Sequence, residues 1–278
     1  MLYLILAISC SSLISVILRL SQEKRKSDIG MFIFNYAVCI LLGTLYTPGS
    51  GFSLRAEGAA LTLGLGAFTG VLFLASFVFF QGGIKKNGLV AASIFMKLGV
   101  VIPVLTSVLV FRETPRLLQV IGILLSVAAI IVFHYDKGGL GAGSGLGYLI
   151  LLLVISGFTD SMLNVYSKVG NGSYSDFFLL LVFVFAALSS VVLYFARGER
   201  MGPWDLLAGV VLGIPNYYSS RFLLRSLQTV PAVVAYPIYS VGAIVVISLV
   251  GILAFKETLS RQKILGLVLV AAAVAALA

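Results

Sequence analysis

Charge is what this chain has least of. Only 10% of its 278 residues are Asp, Glu, Lys or Arg, where a soluble domain carries roughly 25%. With 60% hydrophobic residues, a fold in water would expose large apolar patches, so the bilayer is the expected solvent. The net charge of +9 does not point to nucleic acid. The basic residues fall in short gaps between apolar runs, as membrane loops carry them. Cysteine is scarce too: Cys10 and Cys39 both lie inside apolar runs, with no CxxC or comparable spacing. A disulfide framework and a metal site are therefore not expected. The one histidine, His134, stands at a run end beside Tyr135 and Asp136, an interfacial position. No paired acids occur within the runs, so no catalytic set is read and an integral membrane transferase is disfavoured. The Gly-rich stretch Asp136 to Gly145 follows a helix rather than a strand and lacks the Lys-Ser/Thr end of a phosphate loop. It reads as a flexible linker, and neither ATP nor any other cofactor is expected. The N-terminus, MLYLILAISCSS, lacks a basic n-region and reads as a membrane helix that stays.

What the chain does have is a long self-match. The segment Asn87 to Val132 is an apolar run, a charged hinge and a second apolar run, and the pattern returns 144 positions later. Phe111, Glu113, Thr114, Gly122, Leu125, Ala128 and Ala129 align without gaps on Phe255, Glu257, Thr258, Gly266, Leu269, Ala272 and Ala273. Such a match means a duplicated unit: residues 1–135 and 146–278 as two repeats, joined by the 136–145 linker.

A spanning helix takes about 20 mostly apolar residues. The runs 2–20, 30–47, 58–82, 88–111, 115–134, 146–167, 176–196, 203–225, 231–255 and 260–277 give ten, five per repeat. The fold class is thus an all-α polytopic membrane protein. Five is odd, so two halves that fold alike must enter the membrane from opposite sides, as inverted-topology repeats. Gly66 and Gly70 in the third run, and Gly209 and Gly213 in the eighth, are small-xxx-small steps for close helix packing.

Three charges lie deep in apolar runs: Lys97, Asp160 and Arg221. Each costs on the order of 3 kcal/mol near the bilayer centre, so each is expected to face a bundle interior or a wet cavity. Residues four apart share a helix face, and several polar stripes follow: Ser11, Ser15 and Arg19; Ser93 and Lys97; Ser156, Asp160 and Asn164; Tyr217, Arg221 and Arg225; Tyr236 and Ser240 around Pro237. These stripes are expected to converge on one central cavity. Lys97 and Arg221 then bind an anionic group, Arg221 suiting bidentate recognition. Asn216, Tyr217, Ser93, Tyr236, Ser240 and Asn164 supply hydrogen bonds, and Asp160 is the candidate proton-coupling carboxylate. The plainer alternative is an internal ion pair of Asp160 with Lys97 or Arg221. Arg19 and Arg225, near run ends, fit snorkelling.

Ten helices in two halves, each with a Phe-Arg/Lys-Glu-Thr hinge before its last helix, resemble the EamA-type ten-helix branch of the drug/metabolite transporter superfamily. The hinges Phe111–Thr114 and Phe255–Thr258, followed by Gly122 and Gly266, are the most specific part. The stretch GIPNYYSSRFLLRSL followed by VPAVVAYPIYS is also similar to bacterial members. The resemblance covers nearly the whole chain. It implies a carrier whose central cavity opens to each side in turn, with Glu113 and Glu257 as structural helix-end groups. Members move amino acids, sugars, nucleotide sugars, phosphorylated metabolites, drugs and quaternary amines, so the substrate stays open.

The expectation is a secondary transporter for a small anionic or zwitterionic metabolite, an amino acid or a phosphorylated or organic acid, working by alternating access. The alternative is a flippase for a lipid-linked headgroup. Expected partners are the solute and the lipid of a cell membrane, bacterial and cytoplasmic; a homodimer is compatible with the sequence but not indicated by it. The gaps after helices 1, 3, 5, 7 and 9 hold twelve basic residues against five in the others. The positive-inside rule therefore puts both termini outside, whereas the resemblance implies both inside.

Overall fold

The apolar runs become helices. The structure, a computed structural model, describes residues 1–47, 58–134, 145–255 and 261–277. Its order is α1 (Leu2–Ser21), α2 (Asp28–Tyr46), α3 (Ala59–Asn87), α4 (Leu89–Leu98), α5 (Val101–Leu109), α6 (Leu117–His134), α7 (Leu146–Val169), α8 (Ser175–Arg197), α9 (Pro203–Leu227), α10 (Ala232–Phe255) and α11 (Arg261–Leu277), with one 3-10 turn at Gly172–Tyr174. No strand occurs among the described residues. Five segments, α1, α2, α3, α7 and Gly172–Arg197, are long and apolar enough to cross a membrane. The Asp136–Gly145 linker, apart from Gly145, lies outside the described residues, as do the hinge residues Glu257 and Thr258.

The helix ends follow from local chemistry. Ser27 caps α2, its hydroxyl accepting from the Gly30 N–H at 2.7 Å, which satisfies an orphan first-turn donor. Pro203 opens α9 at a position where its missing N–H is not needed. Gly88 ends α3 at φ +83 and Gly198 ends α8 at φ +60, backbone that only glycine adopts freely.

The fourth run departs from expectation: it is two helices, broken at Gly99–Val100. Pro103 has no N–H to offer the Gly99 carbonyl, four residues back. The Ile102 N–H takes that carbonyl instead at 2.9 Å, and Val100 N–H reaches Lys97 O at 3.3 Å. These three-residue steps tighten the helix locally. The break lies against α7, where a Cβ on Gly99 would sit 2.7 Å from Gly157 N and Ser156 Oγ.

Between helices, lipid offers no hydrophobic drive, so close backbone approach has to hold them. On α3, Cβ atoms at Gly66 and Gly70 would meet Leu181 and Val182 of α8; on α9, one at Gly213 would lie 2.6 Å from Asn35 O and Val38 Cβ of α2. Both small-residue steps thus pack as expected. They also set direction. From N- to C-terminus α9 runs alongside α2, from Ser27–Asp205 to Tyr46–Tyr218. By contrast α2 and α8 are antiparallel: Ser27 meets Glu199, Tyr36 meets Phe183 at 6.3 Å, and Gly43 meets Leu180.

Other helices in contact include α1 with α9 and α10, α7 with α3, α4 and α5, α10 with α4 and α5, and α6 with α11. Exchanging each helix with its counterpart five runs away, α4 and α5 counting as one, maps these partnerships and α2–α9 with α3–α8 onto themselves.

Candidate functional site

Polar stripes on separate helices meet in a cavity of about 630 Å³, its open mouth included, lined by α1, α3, α4, α7, α9 and α10. Its charged residues are Lys97 and Asp160. Lys97 stands in the last turn of α4, where the helix dipole favours a cation. It is 7% exposed. Its ammonium donates to Ser11 Oγ at 2.6 Å and to the Tyr239 hydroxyl at 3.3 Å, and lies 4.3 Å from the Tyr239 ring centroid. The Tyr239 hydroxyl is in turn 3.2 Å from Ser219 Oγ, and the Ser219 hydroxyl donates to Ala7 O at 3.4 Å.

Asp160 contributes from α7. The Tyr236 hydroxyl donates to its backbone carbonyl at 2.6 Å, docking α10 onto α7 at this level. Among the described residues, the ion pairs include neither Lys97 nor Asp160. Both charges stand in one space, with Phe73, Phe77 and Phe80 of α3 as an apolar part of its wall. Ser15, Ser76, Ser156, Thr159, Asn216 and Ser220 add hydroxyl and amide groups. A concave site with apolar walls and convergent polar groups is where small molecules bind, and this one is rich in the polar groups.

Of the residues expected at the site, Lys97, Asp160 and Asn216 line the cavity. Tyr236 stands behind it, as above. Asn164 donates to Ser107 Oγ at 2.7 Å, tying α7 to α5. Ser93 and Ser240 are buried outside the lining. Tyr217 is buried against Phe183 at 5.9 Å and stacks on Tyr46 at 6.0 Å.

Arg221 is placed differently from expectation. Its Nε and Nη2 donate to the two carboxylate oxygens of Asp176 at 2.8 and 3.2 Å. Its guanidinium carbon lies 3.7 Å from the Tyr46 ring centroid, and Arg225 adds a 3.6 Å contact to the same carboxylate. The cause is helical rotation. Asn216, Ser219, Ser220 and Leu223 share the cavity face of α9, while the Tyr217–Arg221–Arg225 stripe turns toward α8 and α2. The alternative pairing of Arg221 with Asp160 is not found: Arg221 pairs with Asp176.

Tyr239 and Ser219 were not singled out from sequence. The signal for Ser219 was the 216, 219, 220, 223 spacing, a 3.6-period face. Tyr239 carried none, because its partner Lys97 is 142 residues away. Away from the cavity, Glu113 accepts from the Val233 N–H at 3.3 Å, at the start of α10, and lies 2.6 Å from Lys168 Nζ. That is the helix-end role expected of it.

Residues 177–270 match the family model of the Small Multidrug Resistance protein, about a third of the chain. That is a family of membrane transporters, not of enzymes, and is related to the drug/metabolite transporters. An uncharacterised protein of Haemophilus influenzae is 24% identical over 277 residues, covering 95% of this chain and 93% of that protein. A crystal structure of a protein with 19% sequence identity superposes with a TM-score of 0.68, covering 99% of this chain and 94% of that one; it shares the fold. The likeness is to a multi-pass membrane transporter of the multidrug or metabolite kind.

Proposed function

We propose that the chain is a secondary transporter of the EamA-type drug/metabolite kind, moving a small zwitterionic or anionic metabolite by alternating access. The carrying observation is that Lys97 and Asp160 share one cavity, and neither is spent in an ion pair among the described residues. Two charges with no salt bridge among the described residues are costly to keep inside an apolar bundle. A solute with a carboxylate for Lys97 and an ammonium for Asp160 satisfies both, with Asn216 adding a hydrogen bond and Phe73, Phe77 and Phe80 an apolar wall.

The antiparallel course of α2 and α8, and partnerships that survive exchange of the halves, support two inverted repeats with the cavity between them. Alternating access then means rocking of one half against the other. The C-terminal ends of α3 and α8 and the loops after α1 and α8 carry Lys85, Lys86, Arg197, Lys24, Arg25, Lys26 and Arg200. Positive charge at that end supports its facing the cytoplasm.

A thermal-shift panel of the purified protein tests the reading. L-Phenylalanine, 3-phenylpropionate, glucose 6-phosphate and tetraphenylphosphonium would be compared on the native chain and on Lys97→Met. A ligand that binds only the folded state raises Tm. Stabilisation by a carboxylate or phosphate compound, lost in Lys97→Met, supports the reading. Stabilisation by tetraphenylphosphonium alone replaces it with a cationic-drug transporter centred on Asp160.

A further inference from the structure

The cavity also holds the bond that a solute must break. Lys97 has three N–H donors. One is held by Ser11 Oγ on α1 at 2.6 Å and one by the Tyr239 hydroxyl on α10 at 3.3 Å. The first bond joins two helices of the N-terminal five runs. The second crosses to the C-terminal five. Tyr239 also contacts Ser219 on α9, and Ser219 reaches back to the Ala7 carbonyl on α1. A single polar chain thus crosses the cavity between the two sets of helices, and the Lys97–Tyr239 contact is its longest charged link.

We propose that Tyr239 is a positioning residue that competes with the solute for Lys97. A carboxylate entering the cavity draws the Lys97 ammonium, a point charge on a flexible stem, toward itself. Of its two present holds, the hydroxyl at 3.3 Å gives way before Ser11 at 2.6 Å. Binding therefore detaches Tyr239 from Lys97 and opens the polar link between the two sets of helices while the solute sits between them. The Tyr239 ring, with Lys97 Nζ 4.3 Å from its centroid, keeps the ammonium in place during the exchange by cation–π attraction. This rests on the proposed reading of the cavity as a solute site.

The test uses calorimetric titration of L-phenylalanine and 3-phenylpropionate into the detergent-solubilised full chain and its Tyr239→Phe and Lys97→Met variants. Tyr239→Phe keeps the ring and removes the competitor. It is expected to bind both probes more tightly, by about fivefold, the worth of one modest hydrogen bond. A merely structural role predicts the opposite sign, because a damaged cavity binds less well. Should Tyr239→Phe fail to fold, Ser219→Ala loosens the aim of the Tyr239 hydroxyl and is expected to shift affinity in the same direction by a smaller factor.

Equal or weaker binding in the folded variant, with Lys97→Met abolishing binding, overturns the competition and leaves the solute site standing. Binding that persists in Lys97→Met, or is absent in the native chain, overturns the site and the competition together.

Discussion

Arg221 holds Asp176 through two nitrogens, Nε to Oδ1 at 2.8 Å and Nη2 to Oδ2 at 3.2 Å, over the ring of Tyr46. The pair ties α9 to the first turn of α8, and the ring contact ties both to the C-terminal end of α2. Its place away from the cavity gives a definite expectation. Arg221→Met is predicted to lower unfolding stability by about 2 kcal/mol, since hydrogen bonds to charged groups are worth about 1.5–3 kcal/mol and Asp176 keeps some access to solvent. Solute affinity in the same variant should stay within about twofold of native. Denaturant melts and calorimetry on one preparation separate the two effects.

At the opposite end of the molecule Asp205 does comparable work with backbone donors. Its carboxylate accepts from Lys26 N–H at 2.9 Å, Ser27 N–H at 3.1 Å and Gly202 N–H at 2.7 Å, and it is fully buried. One side chain thereby fixes the starts of α2 and α9 to each other. Asp205→Asn replaces an accepting oxygen by an N–H₂ that faces donors. The expected loss is about 2–3 kcal/mol, with faster amide exchange at Lys26, Ser27 and Gly202 as the local signature.

Glycines on the same helix are predicted to behave oppositely. A Cβ on Gly70 would lie 2.5 Å from Val182 O and 2.7 Å from Phe185 Cβ, whereas one on Gly64 meets nothing within 4 Å. Gly70→Ala should therefore destabilise by about 2 kcal/mol through forced separation of α3 and α8. Gly64→Ala should be neutral or stabilising, by up to about 1 kcal/mol, from helix propensity alone. Thermal melts of the two variants side by side check the contrast.

Asp160 is predicted to couple transport to protons. Asp160→Asn removes the ionisable group from the cavity while keeping its size. Solute accumulation driven by a pH gradient across proteoliposomes should disappear, while exchange of 3-phenylpropionate, which has no ammonium for Asp160 to hold, continues. Unchanged dependence on the gradient would remove Asp160 from the coupling step.

The helices were legible because apolar runs of spanning length leave few options in lipid. Each run boundary falls within about five residues of a helix end, set by caps such as Ser27 and Gly88. The break at Gly99 has its sequence signal in Pro103, but the hydrophobicity around it is unbroken, so the run 88–111 looks like one span. The site was legible only where one helix carried the signal. Lys97 and Asp160 were marked by charge in an apolar run, and Asn216 by its place beside Pro215. Arg221 carried the same mark and went elsewhere, because hydropathy reports depth and not which neighbour a face meets. Its partner Asp176 opens the preceding helix, α8, where an acid in the first turn is ordinary. Tyr239 was silent for the complementary reason: a tyrosine in an apolar run looks like core until its cross-helix partner is known.

The most direct test of the central claim is uptake of labelled L-phenylalanine into proteoliposomes, native chain against Lys97→Met. The account predicts saturable uptake by the native protein, competed by unlabelled 3-phenylpropionate and reduced at least about tenfold in the variant, whose stability should remain close to native. Uptake by Lys97→Met equal to native would contradict it, as would native liposomes no more permeable than empty ones.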